Sequence, residues 1–231
     1  MKKFLGHLLL ALNLYAAFPS WYYNIKDVKK QKKAFVEIML PLIEEENKKI
    51  LELRKKIKEI FNDPYYLMDP YKVAFLANIA KKYRIKTITD KREFLKRIDA
   101  IPPSLALAQA AIESGWGKSR FVRVANNIFG HWEYTNKGVK PKLRYKNIKH
   151  PYSLRRFHSL EDSIAAYMLN LNRNFAYKKF RNLRYYYRLH HKHFNGIAAA
   201  TTMNNYSQLK QKYVRMLINM IKHNHWQKYD K

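Results

Sequence analysis

The chain has 231 residues, 46 Lys and Arg against 17 Asp and Glu, a formal charge of +29, and no cysteine. Hydrophobic residues at 47% and aromatics at 15% exclude a disordered basic tail, and the missing cysteines exclude a disulfide framework, a thiolate nucleophile and a Cys-ligated metal. The charge points to a polyanionic partner; with only six glycines and no GxGxxG or GxxxxGK[ST] run, a nucleotide-binding loop has no support.

Residues 1–18 open with Lys2 and Lys3, continue through an apolar stretch broken only by Asn13, and stop at Pro19 and Ser20. This is the layout of a secretory leader, with Ala16 and Ala17 near the expected cut. It is too short to cross a bilayer comfortably; a retained anchor and a buried first helix are the alternatives. Residues 20–98 then form a helical amino-terminal region. Val36, Met39, Leu40, Ile43, Ile50, Leu53, Ile57 and Ile60 recur at spacings of three and four over 27–61, which predicts a long amphipathic helix. Pro41 is expected to kink or split it. Shorter helices are predicted over 70–83 and 90–98. The region is either a docking arm or a scaffold packed on the rest, and the scaffold is the simpler expectation.

From residue 99 the chain reads as one further domain running to 231. Pro102 and Pro103 suit the first turn of a helix, which runs to Ser114 and is ended by Gly115 and Gly117. Ala106, Gln109, Ala110 and Glu113 share one small, nearly uncharged face of it. A carboxyl at a helix carboxyl end meets the negative pole of the helix dipole, and partial burial adds a desolvation effect of the same sign. Both raise its pKa, as a general acid near neutral pH requires. Four of the six glycines (Gly115, Gly117, Gly130 and Gly138) cluster after Glu113, so sharp turns are expected there. Residues 143–145 and 154–157 are predicted as strands of a small hairpin. Ser159 and Asp162 resemble a capping box, and helices follow from about 160, over 177–189 and over 207–223. Arg184, the tyrosines at 185–187 and Arg188 resemble a stacking and phosphate-binding surface, although helical spacing favours Tyr187 in the core. His190, His191 and His193 lack the neighbouring carboxylate that a metal set calls for.

The run from Ile101 through Glu113, Ser114, Gly115, Trp116 and Gly117, then Ser119-Arg120-Phe121, then Asn126-Asn127-Ile128-Phe129-Gly130, resembles the signature of the bacterial peptidoglycan glucosaminidases, glycoside hydrolase family 73, in its Bax-like branch. Arg156-Phe157, Ser159, Asp162 to Asn172, Ala176-Tyr177, Tyr206-Ser207 and Tyr213-Val214 continue the likeness, and Lys33 to Phe35 and Leu40 to Asn47 extend it into the amino-terminal region. The resemblance implies a mainly α fold: a lysozyme-like α-lobe, a small β-hairpin lobe and a sugar groove between them. It implies hydrolysis of the β-1,4 bond after N-acetylglucosamine, with Glu113 as the general acid. Tyr206 matches a tyrosine that positions sugar or water. Asn127, Phe129 and Gly130 match a groove-lining turn, and Gln109, Ser114 and Trp116 complete the candidate substrate-binding set. Many members carry a second hairpin carboxylate, but residues 144–153 contain none. Glu133 is the one carboxylate between Gly115 and His158 and is the candidate second group; assistance from the substrate's own acetamido oxygen needs no such group.

No metal or cofactor is called for. The expected partner is the glycan strand of peptidoglycan, met as a monomer in the periplasm or cell envelope, with peripheral contact to anionic membrane or wall polymers and no specific nucleic acid. Losing residues 1–18 removes only Lys2 and Lys3, so about +27 remains to hold the chain to an acidic wall. Lytic transglycosylase chemistry on a similar lobe and a non-catalytic wall-binding scaffold are the rival readings.

Overall fold

The structure, a computed structural model, describes residues 17–135, 137–140 and 153–230. Most of the expected leader and the predicted strand at 143–145 lie outside them. The fold is mainly α, with a single two-stranded sheet among the described residues. A short helix α1 (Ser20–Tyr23) leads into α2 (Val28–Asn62), followed by α3 (Pro70–Tyr83) and α4 (Lys91–Arg97). Asp27, Asp69 and Asp90 cap α2, α3 and α4, each accepting a backbone N–H with its carboxylate, as short polar side chains do at helix starts.

Pro41 does not split α2, which runs unbroken for 35 residues, about 52 Å at 1.5 Å per residue. Pro41 is exposed, so the carbonyl it leaves without a partner faces water. The opposite stripe of α2 (Phe35, Met39, Ile43 and Ile57) is completely buried. It packs on α5 (Pro103–Ser114), α7 (Leu160–Arg173) and α4. The amino-terminal region and the domain after it therefore share one core. Ala17 and Phe18, at the end of the expected leader, belong to that core at 6% and 2% exposure, so packing begins before residue 19.

α5 is the central element. Every residue from Ser104 to Ala111 is buried, and the alanines at 106, 108, 110 and 111 let α2, α9 (Gly196–Ala200) and α10 (Gln211–His223) approach closely. Its first turn is held from the other end of the chain. Asp230 accepts from the Ser104 N–H at 2.9 Å and the Ser104 hydroxyl at 2.6 Å, and also from the Gly196 N–H at 2.8 Å. A short α6 (Arg120–Ala125), absent from the sequence reading, carries the chain to the sheet. There β1 (Trp132–Glu133) pairs antiparallel with β2 (Ser153–Leu154), Trp132 opposite Leu154. The strand predicted at 154–157 thus shrinks to 153–154. α10 starts at Gln211 rather than 207, because Lys210 has φ 44 and interrupts the helical path.

The segment read as a stacking surface is structural in part. On α8 (Lys178–Leu189) Arg184 is 2% exposed and donates to the carbonyls of Asp99, Ala100 and Lys96 and to Asn172 Oδ1. Arg188 grips Asp99 with two bonds, at 2.9 and 2.7 Å. Arg54 of α2 reaches the same place, bonding the carbonyls of Leu95 and Ile98. This cluster bolts α2 and α8 to the segment that enters α5. Tyr187 packs on Phe194, which packs on Phe180, and His190 Nδ1 lies 2.8 Å from the Tyr186 carbonyl. No group of three metal-ligating side chains occurs among the described residues.

Candidate active site

Glu113 sits in the last turn of α5, half-buried. Burial raises its pKa above the ordinary 4.5, and a hydrogen bond from Tyr213 partly offsets that rise. The helix end contributes in the raising direction. Tyr213, on α10, donates its phenolic proton to Glu113 Oε1 at 2.6 Å. Its own ionisation is pushed far up, first by burial and then by the neighbouring carboxylate, so it stays a donor. Oε1 is thus engaged, so a proton carried by this carboxyl would fall on Oε2. That oxygen faces Gly130, where a side chain's Cβ would lie 3.9 Å from it. Gly130 has φ +68 and keeps the space beside the acid clear.

Behind the acid runs a chain of donors. Tyr167 donates to Gln109 Oε1 at 2.7 Å, Gln109 Nε2 donates to the Tyr213 oxygen at 3.3 Å, and Tyr213 donates to Glu113. Tyr167, Gln109 and Tyr213 are at most 2% exposed. Each bond in such a line polarises the next. Aromatic rings enclose it. Phe129 lies flat on Tyr167 with centroids 3.9 Å apart. Tyr206 lies parallel to Tyr213 at 5.5 Å and bonds the Phe129 carbonyl at 3.5 Å. Tyr177, its pKa pushed up to about 12 by burial, closes on Tyr206 at 5.9 Å.

The predicted residues divide between this site and its supports. Glu113, Tyr206, Phe129, Gly130 and Gln109 come together. Gln109 is fully buried, so it orients Tyr213 rather than lining a groove. Asn127 spends its side chain on the turn, donating to the His131 and Arg155 carbonyls and accepting from the His131 N–H, each at 2.9 Å. Ser114 is fully buried; it donates to Ala110 O at 2.5 Å and accepts from Gly117 N–H at 2.7 Å. Trp116 packs edge-on against Phe35 and Trp226. Glu133 lies on β1 and accepts from the Thr135 N–H at 3.1 Å, a bond that lowers its pKa. No contact among the described residues joins it to Glu113. Tyr213, Tyr167 and Tyr177 are the members that sequence reasoning missed as site residues. The signal for Tyr213 was its place on the apolar stripe of α10, which reads as core. A separate cleft of about 570 Å³, bordered by Lys48, Arg188, Phe194 and Tyr229, includes none of these groups.

A helical lobe that half-buries one carboxylic acid against tyrosines, next to a small hairpin, has the makings of an enzyme that protonates a leaving group. A family model described as mannosyl-glycoprotein endo-beta-N-acetylglucosaminidase matches residues 88–226. Protein bax of Escherichia coli (strain K12) is 31% identical over 199 residues, which cover 84% of this chain and 70% of that protein. Two solved structures are also similar. The catalytic domain of the autolysin Auto from Listeria monocytogenes has 20% identity and a TM-score of 0.44, covering 70% of this chain and 88% of that one. A C-terminally truncated glycoside hydrolase domain of Salmonella typhimurium FlgJ has 24% identity and a TM-score of 0.38, covering 55% and 85%. The chain belongs to the glucosaminidase family and is a glycoside hydrolase.

Proposed function

We propose that the protein is an exported peptidoglycan hydrolase that cuts the β-1,4 bond after N-acetylglucosamine in glycan strands, with Glu113 as the general acid. The observation that carries this is the state of Glu113: one oxygen held by Tyr213, the other facing the space left by Gly130, and a pKa raised by burial. A protonated Oε2 gives its proton to the glycosidic oxygen as the bond breaks, and positive charge develops on the sugar ring. Tyr206, stacked on Tyr213 at the same centre, is the candidate for positioning sugar or water. The second step has two candidates. Glu133 makes no contact with Glu113 among the described residues and bonds the Thr135 N–H instead, whereas attack by the substrate's acetamido oxygen needs no second carboxylate. Glu133 is the candidate base for an inverting reaction. Product stereochemistry separates the two, since clean inversion excludes acetamido assistance. The high positive charge fits retention on an acidic wall matrix.

Zymography on peptidoglycan with wild type and Glu113→Gln is the test. Clearing by the wild type and none by the variant is the expected result; equal clearing, or none from several peptidoglycans, refutes it. Reducing N-acetylglucosamine ends in the digest support the glucosaminidase reading, and anhydro-muramic ends replace it with transglycosylase chemistry.

A further inference from the structure

We infer that residues 17–23 back the loop that follows the catalytic acid, and that Phe18 and Tyr22 are positioning residues for Glu113. The inference rests on the reading of Glu113 given above. After α5 the chain reverses over residues 115–117, all with left-handed backbone, at φ 56, 57 and 72. Two are glycines, but Trp116 carries a side chain, and a non-glycine residue persists in that region only when its surroundings hold it there. Besides its edge-on contact with Trp226, three further contacts hold it. Its N–H bonds the Ala111 carbonyl at 2.9 Å. Its carbonyl accepts from the Tyr22 hydroxyl at 2.6 Å, and Tyr22 is completely buried. Its ring is edge-on to Phe35, at 5.4 Å.

Gly117 supplies the second contact. A Cβ there would lie 2.8 Å from the Phe18 ring, so that ring rests on the bare backbone of the loop. Phe18 in turn stacks on Phe35 of α2, with centroids 5.7 Å apart and planes within 14°. The loop is thus held between the amino-terminal strap and α2. Ser114 transmits the restraint, because its hydroxyl joins Gly117 N–H to the last turn of α5. Neither Phe18 nor Tyr22 bonds Glu113 directly. They act on where its carboxyl sits, and a misplacement of about 1 Å at a catalytic group costs on the order of a hundredfold in rate. The amino-terminal region acquires a role in catalysis through this contact.

The test is steady-state kinetics of full-length Tyr22→Phe on soluble glycan fragments, beside wild type and Glu113→Gln. Removing one hydroxyl is expected to lower kcat about tenfold with KM within twofold. The basic limb of the pH profile is expected to move to lower pH, because a loosened loop admits water to Glu113 and weakens the desolvation that raises its pKa. Phe18→Leu, which keeps apolar bulk but not the flat ring, carries the same test should Tyr22→Phe fail to fold, with melting curves confirming that each variant is folded at the assay temperature. A folded Tyr22→Phe with unchanged kcat and a superimposable pH profile, while Glu113→Gln is dead, overturns the positioning claim alone. Wild type and Glu113→Gln of equal activity overturn both claims.

Discussion

Replacing Tyr213 by Phe removes one oxygen and tests the electrostatics of the site. The 2.6 Å bond from Tyr213 to Glu113 Oε1 favours the carboxylate over the neutral acid. A hydrogen bond to a charged group contributes about 1.5–3 kcal/mol, and 1.36 kcal/mol is one pKa unit. Losing it is therefore expected to raise the pKa of Glu113, already above 4.5 through burial, by a further ~1–2 units. A general acid works when protonated, so the basic limb of kcat/KM against pH is expected to move up by about the same amount. The carboxyl also loses its anchor, and the plateau is expected to fall about tenfold, since misorientation is costly. Gln109 Nε2 loses its acceptor, which costs roughly 1–3 kcal/mol in stability. The assay is a pH series on soluble glycan fragments with a parallel thermal melt. A basic limb that stays put or moves down refutes the claim that this bond opposes the effect of burial.

Other outcomes follow from the same geometry. Gly130→Ala puts a methyl group 3.9 Å from Glu113 Oε2 on a backbone with φ +68, and kcat is expected to fall more than tenfold while the far-UV circular dichroism is kept. Glu113→Gln is expected to melt higher than wild type above pH 5 and to lose that advantage in acid. A carboxyl whose folded pKa is raised favours the native state below its unfolded pKa and opposes it above its folded pKa; a variant less stable than wild type at pH 7 contradicts the assigned shift. Asp99→Leu leaves the Arg188 and Arg54 guanidinium groups without their carboxylate and removes the negative charge facing Arg184, and urea denaturation is expected to show a loss of about 3–5 kcal/mol. Mass spectrometry of exported protein, if a leader is removed, is expected to place the new terminus at or before Phe18, because that ring is 2% exposed in the core; a terminus at Pro19 or later refutes it.

Local signals made much of the fold legible. The helices over 27–61, 70–83 and 90–98 and the end of α5 at Gly115 were legible because spacing and helix stops depend on residues near one another. The half-buried place of Glu113 at the end of an apolar helix was legible for the same reason, while its role as an acid came from the family resemblance. The rest depends on distant partners. Tyr213 looks like any aromatic on an amphipathic stripe until α10 docks 100 residues away and brings its hydroxyl to Glu113. Arg184 looks like a surface cation beside three tyrosines, and the carbonyls at the end of α4 and the entry to α5, with Asn172 Oδ1, explain its burial. Phe18 reads as the end of a leader because leaders and cores use the same apolar residues; its contact with Gly117 is what separates them. Pro41 misleads in the other direction: a proline on the solvent side of a long helix loses a bond whose carbonyl partner water can replace.

The opening imbalance of charge sets a problem that the site solves. With 46 Lys and Arg among 231 residues, a cation near any given carboxylate is the ordinary case, and one within about 4–6 Å lowers a carboxyl's pKa. Asp99 shows the effect: burial alone would raise its pKa, yet Arg184, Arg188 and Arg54 bring it below the ordinary value. The same surroundings would leave Glu113 ionised and unable to donate. Among the described residues no Lys or Arg enters the causes of its shift, which are burial and Tyr213. The described groups placed around it include Tyr167, Tyr177, Tyr206, Tyr213, Phe129 and Gln109, all neutral and mutually stacked or bonded. Phenol rings fill the space, exclude water and still supply donors, which a purely aliphatic wall does not. Among the described residues the aromatic shell therefore has an electrostatic function beside its packing one: it surrounds this carboxyl with neutral groups, and its pKa stays above the ordinary value. Introducing a cation into that shell, as in Phe129→Lys, is expected to move the basic limb of the pH profile down, opposite to Tyr213→Phe. A shift in the same direction for both variants would exclude this account.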